Sequence, residues 1–158
     1  MPIELVPVLG AGIGAGLAMY AVQLAGSAVR RPEAFDAAAF WSSVLRLGGR
    51  DPRIAGFFVH LLVSIGVAAG YALGFRLGGI TDAGWAWGLV GGIIHWVAAG
   101  AFVSVVPRDA SEVSPGVFGR DLGPSGGYAF LAAHLVFGLV AGFLYLLLHN
   151  SGGLNAAL

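Results

Sequence analysis

Phe130 to Leu148, FLAAHLVFGLVAGFLYLLL, is a run of nineteen residues whose one strongly polar side chain is His134. At 1.5 Å of rise per residue such a helix is roughly 28 Å long, which matches the hydrocarbon thickness of a bilayer. The stretch therefore reads as a membrane span that carries an imidazole. Three further runs, about 5–29, 54–75 and 83–106, have similar length and apolarity, and two of them also hold a histidine, His60 and His95.

Composition agrees with that reading. A chain of 158 residues is one domain by length, yet it is 58% hydrophobic and only 10% charged, with a mean hydropathy of +0.86, which is wrong for a soluble core of this size. The expected fold is all-α, a polytopic membrane protein of four transmembrane helices. There are 27 glycines, well over twice the average share of about 7%, and most lie inside the apolar runs, where small residues let helix backbones approach closely. All eight basic residues are arginines, balanced by eight acids, so no net charge argues for nucleic acid. Without cysteine, disulfides, thiolate metal sites, iron–sulfur clusters and cysteine nucleophiles are all excluded.

In the first span, about 5–29, Glu4 stands where a signal peptide would carry positive charge and Arg30-Arg31 follows the run, so the segment is expected to remain attached. Gly10/Gly14 and Gly12/Gly16 have the four-residue spacing of a flat helix face, which marks them as a helix–helix interface. A short helix over about 33–47 is expected next. Pro32 suits its first turn, Glu33 and Asp36 its positive end, and Gly48-Gly49 its stop. Ala37, Phe40, Trp41, Val44 and Leu45 share one face of it, and Asp36, Ser43, Arg46 and Arg50 the other. This is the pattern of a helix lying in the membrane interface, with Phe40 and Trp41 as contact residues; a connecting helix packed under the bundle would show the same pattern.

The second span (54–75) and third span (83–106) are joined by a short polar turn. Residues 107–127, rich in Pro, Gly, Ser and Asp, read as an irregular loop, and 128–148 is the fourth span, followed by a small polar tail. Arg30, Arg31, Arg46, Arg50, Arg53, Arg108 and Arg120 border loops 1 and 3, against Arg76 alone on the other side. By the positive-inside rule loops 1 and 3 are cytoplasmic and both termini lie outside, in a prokaryotic inner membrane.

His60–Tyr71, HLLVSIGVAAGY, and His134–Tyr145, HLVFGLVAGFLY, match at His-Leu and at a tyrosine eleven residues on. The spans before them end alike, in SAVRR and SVVPR. Two tandem helical hairpins related by an axis along the membrane normal are the expected arrangement.

His60 and His134 each lie roughly 9 Å inside their spans and His95 roughly 16 Å, counted along the helices. Intramembrane ionisable residues mark function by default. His60 and His134, at similar depth on diagonal helices about 12–14 Å apart, would bracket a haem b iron, with Gly66, Gly70, Gly138 and Gly142 leaving room for the macrocycle. A chlorophyll would need one imidazole, and His95 would serve as well. The alternative is that each imidazole donates to a carbonyl or hydroxyl on a neighbouring helix, such as Ser64 or Ser104, and tightens the bundle. A redox metal site is disfavoured because no acid joins the histidines and Met19 is the one internal methionine. His149 reads as an interfacial residue, and Tyr20, Tyr71, Trp85, Trp87 and Tyr145 as an aromatic belt.

Gly56-Phe57-Phe58-Val59-His60, Gly88-Leu89-Val90-Gly91-Gly92, and His134-Leu135-Val136-Phe137-Gly138 with Gly142 and Tyr145 resemble an uncharacterised family of small bacterial and archaeal four-span membrane proteins. The resemblance implies four spans and makes His60 and His134 family features; His95 has no counterpart in the pattern. It supplies no activity. Three functions follow as expectations. The first is an accessory or assembly subunit of a larger membrane complex, with other membrane subunits as partners. The second is a haem b or chlorophyll carrier ligated by His60, His134 or His95, and the third a channel or transporter for a neutral solute. Catalysis is not expected, because no acid, lysine or cysteine accompanies the histidines at depth.

Overall fold

A computed structural model describes residues 3–29, 35–106 and 116–155. They form five α-helices and no strand: α1 (Leu5–Val29), α2 (Ala37–Val44), α3 (Pro52–Gly78), α4 (Gly84–Val105) and α5 (Gly123–Asn155), with a 3-10 turn at Val117–Leu122. Four of the helices are long and apolar enough to cross a membrane, over 22, 27, 22 and 33 residues. The fold is an all-α, multi-pass helical architecture.

The helix boundaries follow local chemistry. Asp36 proves to be the N-cap of α2 and not a first-turn acid, accepting from the backbone N–H of Ala38 and Ala39 at 2.9 and 3.0 Å. The helix is accordingly shorter than the expected 33–47, ending before Leu45, and Arg46 then takes a left-handed φ of 50°. Residues 30–34, including Pro32 and Glu33, lie outside the described part. Asp51 caps α3 and Pro52 opens it, where a missing N–H is harmless. Gly79, at φ 63°, closes α3.

The end of the chain departs from the expected loop over 107–127 and polar tail. Residues 117–122 form the 3-10 turn, and α5 begins at Gly123 and runs to Asn155. Pro124 sits in the first helical turn, where its fixed φ is compatible with a helix. Thirty-three residues make a rod of roughly 50 Å, so α5 projects beyond a hydrocarbon layer about 30 Å thick.

Helices α1 and α5 are central. α3 packs on α1, α4 packs on α5, and α1 packs along α5, while α3 and α4 do not pack along each other. The two hairpins of the sequence repeat, α1–α3 and α4–α5, are therefore present. Exchanging them would turn the α1–α5 contact into an α4–α3 contact, and that counterpart is missing, so the pseudo-symmetry is broken at one seam.

Glycine governs the closest approaches. A methyl group on Gly88 would run into the carbonyl oxygen of Gly138, one on Gly142 into that of Gly84, and one on Gly92 into that of His134. Gly10 and Gly14 face Leu148 and Leu144 of α5, whereas Gly12 and Gly16 face Ile65 and Ser64 of α3. The two glycine pairs of α1 thus serve two different neighbours inside the bundle. Gly66, Gly70 and Gly74 meet nothing: a Cβ there would have open space.

The core is built of Ala11, Ala15, Ala68, Ala72, Ala133 and Ala141 around Phe75, Phe137 and Tyr145. Tyr71 (9% exposed) and Tyr145 (0%) belong to this core and not to an aromatic belt. Glycine makes room for one of them, since Tyr71 lies over Gly91. Trp85 and Trp87 are exposed, as a belt requires.

Substituting Gly88→Ala should destabilise the bundle by about 1–3 kcal/mol through overpacking against backbone. Gly70→Ala should leave stability within about 0.5 kcal/mol of wild type or raise it slightly. Denaturation by SDS in mixed micelles would measure both, and equal effects of the two changes would contradict the packing.

Candidate functional site

At the end of the bundle that carries α2, the structure brings His60, His95 and His134 to one cavity of about 70 Å³. Met19 of α1, Ser64 of α3, Phe102 of α4 and Phe130 of α5 also line it, and Phe35 with Ala37, Phe40 and Trp41 closes it from the side of α2. Among the described residues, no acidic, lysine or arginine side chain is in the lining.

Helix α2 is held over the cavity by several independent contacts. Gln23 of α1 accepts the N–H of Ala37 through Oε1 at 3.2 Å. Arg53 at the start of α3 donates to Asp36. A methyl group on Gly56 would meet the backbone of Ala38 and Ser42, so α2 and α3 touch there backbone to backbone. Its buried residues are Ala37, Ala38 and Ser42. Phe40 and Trp41 are half-buried and reach across to Phe102 of α4, with ring centroids 6.5 and 5.9 Å away. Phe35 meets Phe130 of α5 edge to face at 5.5 Å.

The three imidazoles differ in their partners. His60 (5% exposed) donates from Nε2 to the carbonyl of Gly16 on α1, 3.1 Å away. A carbonyl can only accept, so Nε2 carries the proton and Nδ1 keeps its lone pair. His134 (2% exposed) donates from Nδ1 to Phe130 O of its own helix at 2.7 Å, which leaves Nε2 as a lone pair without a protein partner. His95 is half-buried on α4, and its Nδ1 is buried with no hydrogen bond. Its ring stands edge-on to His134 (centroids 4.7 Å, 73°) and to Phe137 (5.0 Å).

Only His60 fulfils the expectation of an imidazole bonding to a neighbouring helix. Ser64 and Ser104 instead turn back on their own helices, to His60 O and Ala101 O. His149 lies at the opposite end, stacked on Tyr145, with Nδ1 3.4 Å from Glu4 Oε1: within ion-pair range but outside hydrogen-bond geometry.

The space for a macrocycle is not where the sequence placed it. Gly138 and Gly142 are filled by α4, and Gly66 and Gly70 face outward. About 70 Å³ is also far below the roughly 300–1,000 Å³ of pockets that enclose drug-sized ligands, so a tetrapyrrole does not fit between His60 and His134 as the helices are packed. Among the described residues, no group of three His, Asp or Glu side chains is placed to hold a metal ion.

Two residues of this region escaped the sequence reading. Gln23 is the one amide inside the first span and lies one turn beyond Met19; a polar side chain in an apolar run was the available signal. Met19 was noticed but not connected to the histidines, because nothing in linear order shows that α1 turns it toward them.

Replacing His60 by Leu should cost about 1 kcal/mol through loss of an interhelical hydrogen bond. His95→Leu should be neutral or stabilising by up to about 1 kcal/mol, because it removes a buried polar atom that has no partner. Denaturation of both variants in micelles checks this, and a large loss for His95→Leu would reveal a partner for that ring.

Comparison with protein-family models, with known proteins and with solved structures gives no match for this chain.

Proposed function

We propose that the protein is a non-catalytic accessory subunit of the membrane that holds a small ligand in the three-histidine cavity. The observation that carries this reading is His95 Nδ1, which is buried in the cavity wall without a hydrogen-bond partner, its ring edge-on to that of His134. A buried polar atom without a partner costs about 1–3 kcal/mol, and native structures leave few of them. A bound group that meets the His95 nitrogen would offset that cost.

The rest of the architecture fits a binding role better than a catalytic or conducting one. Among the described residues no acid or amine lines the cavity to work with the imidazoles. Below it, Tyr71, Phe75, Phe137 and Tyr145 pack ring against ring along the bundle, which obstructs a solute path. α3 and α4 leave most of their apolar surface outside the bundle, available to lipid or to helices of partner subunits. The tetrapyrrole reading, with His60 and His134 as ligands, would require α3 and α5 to move apart.

Gentle solubilisation followed by mass spectrometry of the solvent extract should recover a small molecule in stoichiometric amount from the wild type and little of it from the His95→Leu/His134→Leu double variant. The same preparation should contain other membrane subunits. A ligand-free monomer or homodimer under those conditions would count against the proposal.

The cytoplasmic inner membrane, with loops 1 and 3 inside, is the orientation the arginines favour. The absence of cysteine makes a direct test simple. Thr81→Cys should react with an impermeant maleimide on intact cells, and Arg50→Cys only after permeabilisation; the reverse pattern would invert the topology.

A further inference from the structure

The cavity can be asked what kind of molecule its walls accept. Its mouth is sideways. Val63 of α3 and Phe102 of α4 both line it and are 36% and 44% exposed, and they flank the seam where α3 and α4 do not pack along each other. Above, α2 covers it with Ala37, Phe40 and Trp41. A ligand therefore arrives from the bilayer and not from water.

Inside, the fixed polar atoms are acceptors. His134 is held by Phe130 O in the tautomer with a bare Nε2, and His60 by Gly16 O in the tautomer with a bare Nδ1. Both rings line the cavity, and while neutral neither can donate there without breaking its bond to the helix. His95, whose buried Nδ1 has no hydrogen-bond partner, can donate or accept there. Lone pairs of this kind suit a metal ion or a hydroxyl group. The spacing of the side chains disfavours the ion, since no three of the described His, Asp or Glu residues converge on one point. The aromatic walls, Phe35, Phe40, Trp41, Phe102 and Phe130, favour a flat ring.

Resting on the reading of this cavity as a ligand site, we infer that it takes the hydroxyl-bearing edge of a lipid-soluble phenol or hydroquinone entering between α3 and α4. About 70 Å³ holds only the leading part of such a ring, since a cavity enclosing a whole benzene is nearer ~150 Å³. The far side of the ring and its alkyl chain lie in the opening beside Val63 and Phe102. The hydroxyl donates to an imidazole lone pair, so the reduced, hydroxylated form binds more tightly than a form lacking O–H.

The test uses the full-length protein with ¹⁵N-labelled histidine in phosphatidylethanolamine/phosphatidylglycerol vesicles, titrated with decyl-hydroquinone and with its 1,4-dimethyl ether. The hydroquinone should shift the signals of the unprotonated His134 and His60 nitrogens saturably. The ether should need about tenfold more, the loss expected for one hydrogen bond to a buried group. Val63→Trp, a change at an exposed position that plugs the mouth, should abolish the shift while the His60 Nε2–H signal stays in place. Equal effects of hydroquinone and ether, no saturable shift, or a shift that survives Val63→Trp would each overturn the inference. If another molecule co-purifies with the wild type and is lost in Val63→Trp while hydroquinone has no effect, the ligand site stands and the hydroxyl assignment falls. If nothing binds in either experiment, both fall.

Discussion

In a bilayer, helices gain nothing by hiding apolar surface from one another, because lipid is as apolar as leucine; they associate where their backbones can come close. In this chain that place is the contact between α4 and α5. Gly84, Gly88 and Gly92 lie one turn apart on α4 and meet Gly142, Gly138 and the His134 carbonyl in turn on α5. Side chains there would push the helices apart by the width of a methyl group or more. The contact also sets the register of the site: with Gly92 against the carbonyl of His134, His95 falls less than one turn farther along α4 and its ring lands on the edge of the His134 ring. The two imidazoles are neighbours because a glycine and a backbone oxygen are.

The remainder of the bundle is arranged around α5. α1 lies along its other side, with Gly10 and Gly14 under Leu148 and Leu144, and uses its second glycine pair to seat α3. That leaves α3 and α4 on the outside, facing each other across a seam that helix packing does not seal. Helix α2 spans one end of the seam, tied to α1 by Gln23, to α3 by the Asp36–Arg53 pair and the Gly56 contact, and to α4 by Phe40 and Trp41 on Phe102. The break in the hairpin symmetry and the presence of the cavity are one fact: a contact that matched α1–α5 on the other side would have closed it.

Two histidines that look like twins in the sequence have different work. Each opens the same His-Leu pattern, at similar depth. His60 reaches across to the Gly16 carbonyl and joins two helices, whereas His134 is tied to its own helix and presents Nε2 without a partner. The difference comes from their neighbours. α1 offers His60 a glycine, over which an exposed carbonyl can be reached, while α4 offers His134 another imidazole.

The nineteen apolar residues from Phe130, the three runs like it and the thin supply of charge were enough to establish four membrane-spanning helices, because the bilayer permits few other backbones and hydropathy reports directly on that constraint. Glycine spacing on span one told that α1 packs closely, and the three histidines stood out as polar groups in apolar runs. Partners were beyond reach. Which neighbour each glycine pair meets, that Tyr71 and Tyr145 turn inward, that α5 starts at Gly123, and that Met19 and His95 join His60 and His134 depend on the rotation of each helix about its axis. A helix that is apolar on every side carries no amphipathic stripe to announce that rotation. Only the fit of small residues against backbone in three dimensions decides it.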